Sequence, residues 1–75
     1  MEFEKILGEE LRKIRVEKGL SQEALGFESD YHRTYISQIE RGEKNVSFVA
    51  IFKIANALDI KLSELIRSVE ERLES

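Results

Sequence analysis

The sequence predicts an all-α fold of five short helices, and three observations carry that prediction. Apolar residues recur three and four apart through successive segments, the period of a helix that faces a core. Ser21 and Ser47 stand where helices would start, and Gly19 and Gly42 where helices would stop. There is no proline to break the pattern.

The first helix is expected over about residues 3–18, since Phe3, Leu7, Leu11 and Ile14 fall on one face and Gly19 follows. Arg12 and Lys13 point away from that face, while Arg15 lies at its edge. Ser21 caps a second helix running to about Glu28, with Ala24 and Leu25 inward. Gly26 inside it costs roughly 1 kcal/mol relative to alanine, so close approach of the next helix is the expected reason for it. Ser29-Asp30-Tyr31 forms a corner.

The third helix is expected from about 32 to 41, closed by Gly42. A 100° projection groups His32, Ile36, Ile39 and Glu40 on one arc and Thr34, Ser37, Gln38 and Arg41 on the other. A carboxylate on the inward arc is costly unless a cation pairs with it, and Arg15 of the first helix is the best-placed partner for Glu40. Ser47 caps a fourth helix, Phe48 to Leu58, whose only polar residues are Lys53 and Asn56. Phe48, Ile51, Phe52, Ala55 and Leu58 make one face, and Val49, Ala50, Ile54 and Ala57 widen it. A helix apolar nearly all round is buried on several sides or packs on a partner. The last helix, about 62–73, carries Leu62, Leu65, Ile66, Val69 and Leu73 in a narrow stripe close to a coiled-coil seam.

Seventy-five residues make a single domain, and a chain this short buries only ~60% of its unfolded surface. With no cysteine, neither disulfides nor thiolate-bound metal can supplement so thin a core, which favours a second copy of the chain. A homodimer using Val49, Ile54, Ala57, Leu65, Val69 and Leu73 is therefore expected. The longest apolar run, Phe48 to Phe52, is far too short to span a membrane. Eight charges in the first fifteen residues leave no targeting signal, so a cytoplasmic location is expected. The one histidine, His32, has no second histidine or cysteine with which to hold a metal. No cofactor, small-molecule ligand or enzymatic activity is expected, because no nucleophile–base pair and no glycine-rich phosphate loop is present.

The helix-corner-helix pattern, with Gln22 near its start, Gly26 within, then Ile36 and Ile39, resembles the phage-repressor type of helix-turn-helix domain over about residues 7–66. Within that family, HRTYISQIERGEKN looks especially like the restriction–modification controller proteins, which are small dimeric transcription regulators. The resemblance implies a lambda-repressor-like five-helix domain whose third helix enters the major groove of double-stranded DNA. It also implies an ion pair between the first-helix arginine and the glutamate near the end of the third helix, in agreement with Arg15 and Glu40 from periodicity. Two positions depart from the family pattern. Asp30 stands where the corner usually has glycine, and so must accept a left-handed backbone. Lys61 stands where the last helix usually has a serine-like cap.

On this reading Gln38 pairs with adenine edges and the Thr34 methyl touches thymine. Arg33 reads a guanine or holds a phosphate, base contact being preferred, and Ser37 is small enough to allow close approach. Ser21 and Gln22, at a helix N-terminus, suit a phosphate oxygen, though Ser21 also serves as a plain cap. Tyr35 reaches a phosphate or simply packs on the core. Arg41, Lys44 and Asn45 clamp the backbone beyond the reading helix. His32 is structural or a phosphate contact.

The net charge of −3 stands against nucleic acid, but what matters is the face presented. Residues 1–20 balance at zero, 21–30 carry −3, 31–46 carry +1 and 47–75 carry −1. The only positive block is the one assigned to DNA. The competing expectation is a protein-interaction module, antitoxin-like or scaffolding, on the same fold.

Overall fold

The computed structural model describes residues 2–75, and among them finds five helices and no strand. They are α1 (Glu2–Glu17), α2 (Gln22–Ser29), α3 (Arg33–Glu40), α4 (Phe48–Ala57) and α5 (Leu62–Glu74). α1 packs on α3 and α5, α2 on α3 and α4, and α4 on α5. Leu7, Leu11, Leu25, Ile36, Ile39, Ile54, Leu58, Leu65 and Val69 fill the centre, so all five helices contribute to one core.

Local chemistry sets the boundaries. Ser21 Oγ accepts from the Ala24 amide at 2.9 Å, and Ser47 Oγ from the Ala50 amide at 3.0 Å. Lys61 gives α5 no side-chain cap. The C-terminal ends of α1 to α4 are alike. In each, one amide bonds back five residues and the preceding amide three: Leu20 to Arg15, Tyr31 to Gly26, Glu43 to Gln38, and Ile60 to Ala55 are the longer members. This geometry needs a left-handed residue, supplied by Gly19, Asp30, Gly42 and Asp59. Asp30 has φ 67° and ψ 36°, as its place at the corner required. Asp59, with φ 59°, is a second aspartate in this role that its sequence position did not announce.

Two glycines mark close approaches. A Cβ on Gly26 would lie 2.5 Å from the Tyr31 carbonyl oxygen and 3.2 Å from the Arg33 nitrogen, so the tight neighbour is the corner and the first residue of α3. A Cβ on Gly8 would lie 2.3 Å from the Ile39 carbonyl oxygen and 2.7 Å from that of Glu40. Only a glycine there lets α1 lie directly against the end of α3.

α4 is rotated from the expectation. Its buried arc is Ala50, Ile51, Ile54 and Ala55, continued by Leu58, whereas Phe48, Val49 and Phe52 stand exposed. This corrects the expected dimer surface. Ile54, Leu65 and Val69 are each 1% exposed or less in the single chain, because α4 packs on α2 and α5, and α5 on α1 and α4. Ala57 is half-buried against the same core. Of the six residues assigned to association, Val49 and Leu73 alone are exposed, and the uncovered apolar surface of α4 is completed by Phe48 and Phe52. Arg72 fixes the far end of α5 to α1, donating to Glu9 at 2.7 Å and Glu10 at 3.0 Å.

Candidate nucleic-acid interface

α3 is an eight-residue helix with two unlike sides. Ile36 and Ile39 enter the core, and Glu40 follows them inward at 8% exposure. Its carboxylate is met there by Arg15, also 8% exposed: Nε donates to Oε2 at 2.6 Å and Nη2 to Oε1 at 3.0 Å. The third guanidinium nitrogen, Nη1, donates to the Leu20 carbonyl at 2.7 Å, so each nitrogen of the fork has a partner. The pair anticipated between these two residues therefore joins α1 to α3. It also recruits α2, because Gln22 Nε2 donates to Glu40 Oε1 at 3.0 Å. That contact gives Gln22 a structural partner in addition to the phosphate role expected of it. The half-buried amide faces the ion pair, where it satisfies a carboxylate lone pair that would otherwise be costly.

The other side of α3 is open. Arg33, Thr34 and Arg41 are exposed, and Ser37 and Gln38 half-exposed between them. Arg33, Thr34, Ser37 and Arg41 border one shallow recess with Gln22 at its edge. Lys44 and Asn45 continue the exposed surface in the following loop, and Ser21 lies exposed at the start of α2. The helix thus keeps its small hydrogen-bonding side chains on the surface while its isoleucines fix its height and rotation.

His32 is the N-cap of α3 and not a member of its inward arc. Its Nδ1 accepts from the Thr34 amide at 3.0 Å. A neutral imidazole that accepts at one nitrogen carries its proton on the other, so Nε2–H remains as an outward donor. A histidine cap is uncommon among the usual Ser, Thr, Asp and Asn, and for that reason sequence inspection did not find it. Tyr35 is half-buried, its ring 5.0 Å from that of Tyr31 with the planes tilted by 43°. Burial first, and the neighbouring Tyr31 second, push the Tyr35 phenol above its ordinary pKa, so it stays a neutral hydrogen-bond donor at physiological pH. Lys53 of α4 places its Nζ 5.5 Å from the Tyr31 ring centre.

No cluster among the described residues has the three or more histidine, cysteine or carboxylate ligands a metal site needs, and no described helix is long and apolar enough to cross a membrane.

Two helices joined by a tight corner, the second braced from behind and bare in front, form a helix-turn-helix unit. The model of the helix-turn-helix family matches residues 11–65. The chain belongs to the XRE-type helix-turn-helix family. Among its relatives is the control protein C.BamHI of Bacillus amyloliquefaciens, 50% identical over 62 residues that span 81% of this chain and 76% of that protein. The control protein C.MunI of a Mycoplasma species is 48% identical over 65 residues, 85% of this chain and 88% of the relative. In three dimensions the chain is similar to the restriction–modification controller protein C.AhdI from Aeromonas hydrophila. The TM-score is 0.80 at 51% identity, with 81% of this chain and 92% of that one covered. Helix-turn-helix members of this kind are DNA-binding transcription regulators, and α2 and α3 are the corresponding pair here.

Proposed function

We propose that this protein is a sequence-specific transcriptional regulator that works in the cytoplasm as a homodimer on a roughly palindromic operator, as the controller of a restriction–modification system. One observation carries the reading: the Thr34–Gln38 side of α3 is left uncovered by the chain's own residues, while Ile36, Ile39 and the Arg15–Glu40 pair hold the helix rigidly behind it. A rigid helix bearing short polar side chains suits the major groove, where Gln38 meets adenine and Thr34 a thymine methyl. Arg33 at the start of the helix takes a guanine edge. Ser21, Tyr35, Arg41, Lys44, Asn45 and the Nε2–H of His32 surround it as phosphate contacts that position without specifying. The exposed Phe48, Val49 and Phe52 of α4, with Leu73 of α5, supply the apolar surface for a second copy. A two-fold dimer would then present two reading helices to half-sites about 34 Å apart.

Selecting bound duplexes from a random pool and footprinting the winner tests this directly. Thr34→Ala and Gln38→Ala should keep the fold and lose discrimination among operator variants. Lys44→Ala should weaken every duplex alike and reduce the salt slope by about one. Unaltered sequence preference in both of the first two variants would remove α3 as the reading element.

A second reading, a protein-interaction module, is favoured by α2, where Phe27 is 84% exposed among Glu23, Glu28 and Asp30. Duplex affinity that does not change with salt would support that reading over DNA binding.

A further inference from the structure

Three basic residues, Arg33, Arg41 and Lys44, lie in the one segment of the chain with positive charge. Two of them already face a carboxylate of the same molecule. Arg41 is held by Glu43 in a two-pronged pair, Nε to Oε2 at 2.9 Å and Nη2 to Oε1 at 3.1 Å, and its remaining nitrogen Nη1 donates to Ser37 Oγ. Arg33 Nη1 lies 3.8 Å from Glu23 Oε2, an ion pair without a hydrogen bond. Lys44 is in no ion pair among the described residues. Both arginines, and both of their carboxylates, are more than half exposed.

We propose that Glu43 acts as an internal competitor for phosphate at Arg41, and Glu23 more weakly as a competitor for DNA at Arg33, each occupying its arginine until a duplex displaces it. The inference rests on the DNA-binding reading above. A bidentate guanidinium–carboxylate pair copies the geometry with which arginine meets a phosphate, so Arg41 cannot serve both partners at once with the same donors. Hydrogen bonding to Arg41 leads the effects that hold the Glu43 carboxyl below the usual glutamate range, and the group is ionised at neutral pH. A buried pair would forbid the exchange. An exposed one shifts an equilibrium constant by only about two- to five-fold, which restrains the arginine without disabling it. The effect falls hardest on arbitrary sequence, where phosphate contacts supply nearly all the affinity. A protein with few positive charges on its reading face thereby keeps its hold on random DNA low.

Salt dependence separates this role from a structural one. When Arg41 moves to a phosphate, DNA loses condensed cations, but the freed Glu43 recaptures part of that release. Glu43→Gln abolishes the recapture. The full-length chain is titrated against a labelled random-sequence duplex from about 50 to 200 mM salt. Glu43→Gln is expected to bind about two- to five-fold tighter at the low end, with a slope of log affinity against log salt steeper by up to about one. Glu23→Gln should move both quantities the same way by less, given its longer contact. Glu71→Gln, on an exposed residue of α5, makes the same change in net charge away from the face and should match the wild type. Glu43→Gln superimposing on the wild type, or Glu71→Gln reproducing the gain, overturns the proposal. A wild type that binds no duplex at any salt overturns the DNA-binding reading itself, and this inference with it.

Discussion

Removing Glu40 tests the device that joins three helices at once. In Glu40→Ala the Arg15 guanidinium stays buried with only the Leu20 carbonyl left as acceptor, and Gln22 Nε2 loses its partner as well. Breaking one side of a buried pair costs about 3–5 kcal/mol, most of it from the uncompensated charge that remains. At about 0.05–0.15 kcal/mol per residue, a domain of 75 residues has roughly 4–11 kcal/mol in total. The substitution should therefore remove between about a quarter and all of the stability, lowering the melting temperature by more than about 12 °C at 4–8 °C per kcal/mol. Urea titration followed by far-ultraviolet circular dichroism gives the loss as a shift in midpoint. The companion variant, Arg15→Met with Glu40→Met, replaces charge by apolar volume and should recover most of that loss, since such replacements are often neutral. A strongly non-additive cycle is the signature. If Glu40→Ala loses less than about 1 kcal/mol, or the double variant equals the sum of the single variants Arg15→Met and Glu40→Met, the pair is not what fixes α3 against α1.

Three further outcomes are expected. Gly8→Ala gains about 1 kcal/mol of helix propensity but drives a methyl into the Ile39 and Glu40 carbonyls, both backbone atoms that cannot swing aside. Overpacking of about 1–3 kcal/mol or more should win, and thermal melting that shows stabilisation would contradict the close approach of α1 and α3. Phe52→Glu should leave the circular dichroism spectrum unchanged and shift sedimentation equilibrium from dimer to monomer. A variant that still dimerises excludes the α4 surface as the interface. Arg72→Gln should return Glu9 to the ordinary glutamate range in a carboxyl NMR titration, because the hydrogen bond from Arg72 leads the effects that hold it lower. The folded-state pKa of Glu9 is depressed. Its contribution is thus present above the ordinary glutamate value and lost as pH falls through the folded one, so the variant should lack that part of the acid transition.

Residue spacing by itself settled the five helices, the corner at Asp30, the outward grouping of Thr34, Ser37 and Gln38, and the pairing of Arg15 with Glu40. Each of these follows from local chemistry or from one amphipathic period, which the chain carries whatever its partners. The left-handed backbone at Asp30 was implied by the family resemblance, whose corner usually has glycine there, whereas Glu40 could be assigned a cation because an inward carboxylate requires one. Tertiary packing decided the rest. α4 is apolar on nearly every side, so its pattern could not say which arc faces inward. The surfaces of α2 and α5 chose Ile54 and Ala50, and left Phe48 and Phe52 outside. The same packing withdrew Leu65 and Val69 from any interface, since a seam-like stripe reads identically whether it meets another copy or its own core. Gln22 turned from solvent to Glu40, and Arg41 to Glu43, because polar side chains choose partners by distance in space, which one-dimensional spacing does not encode.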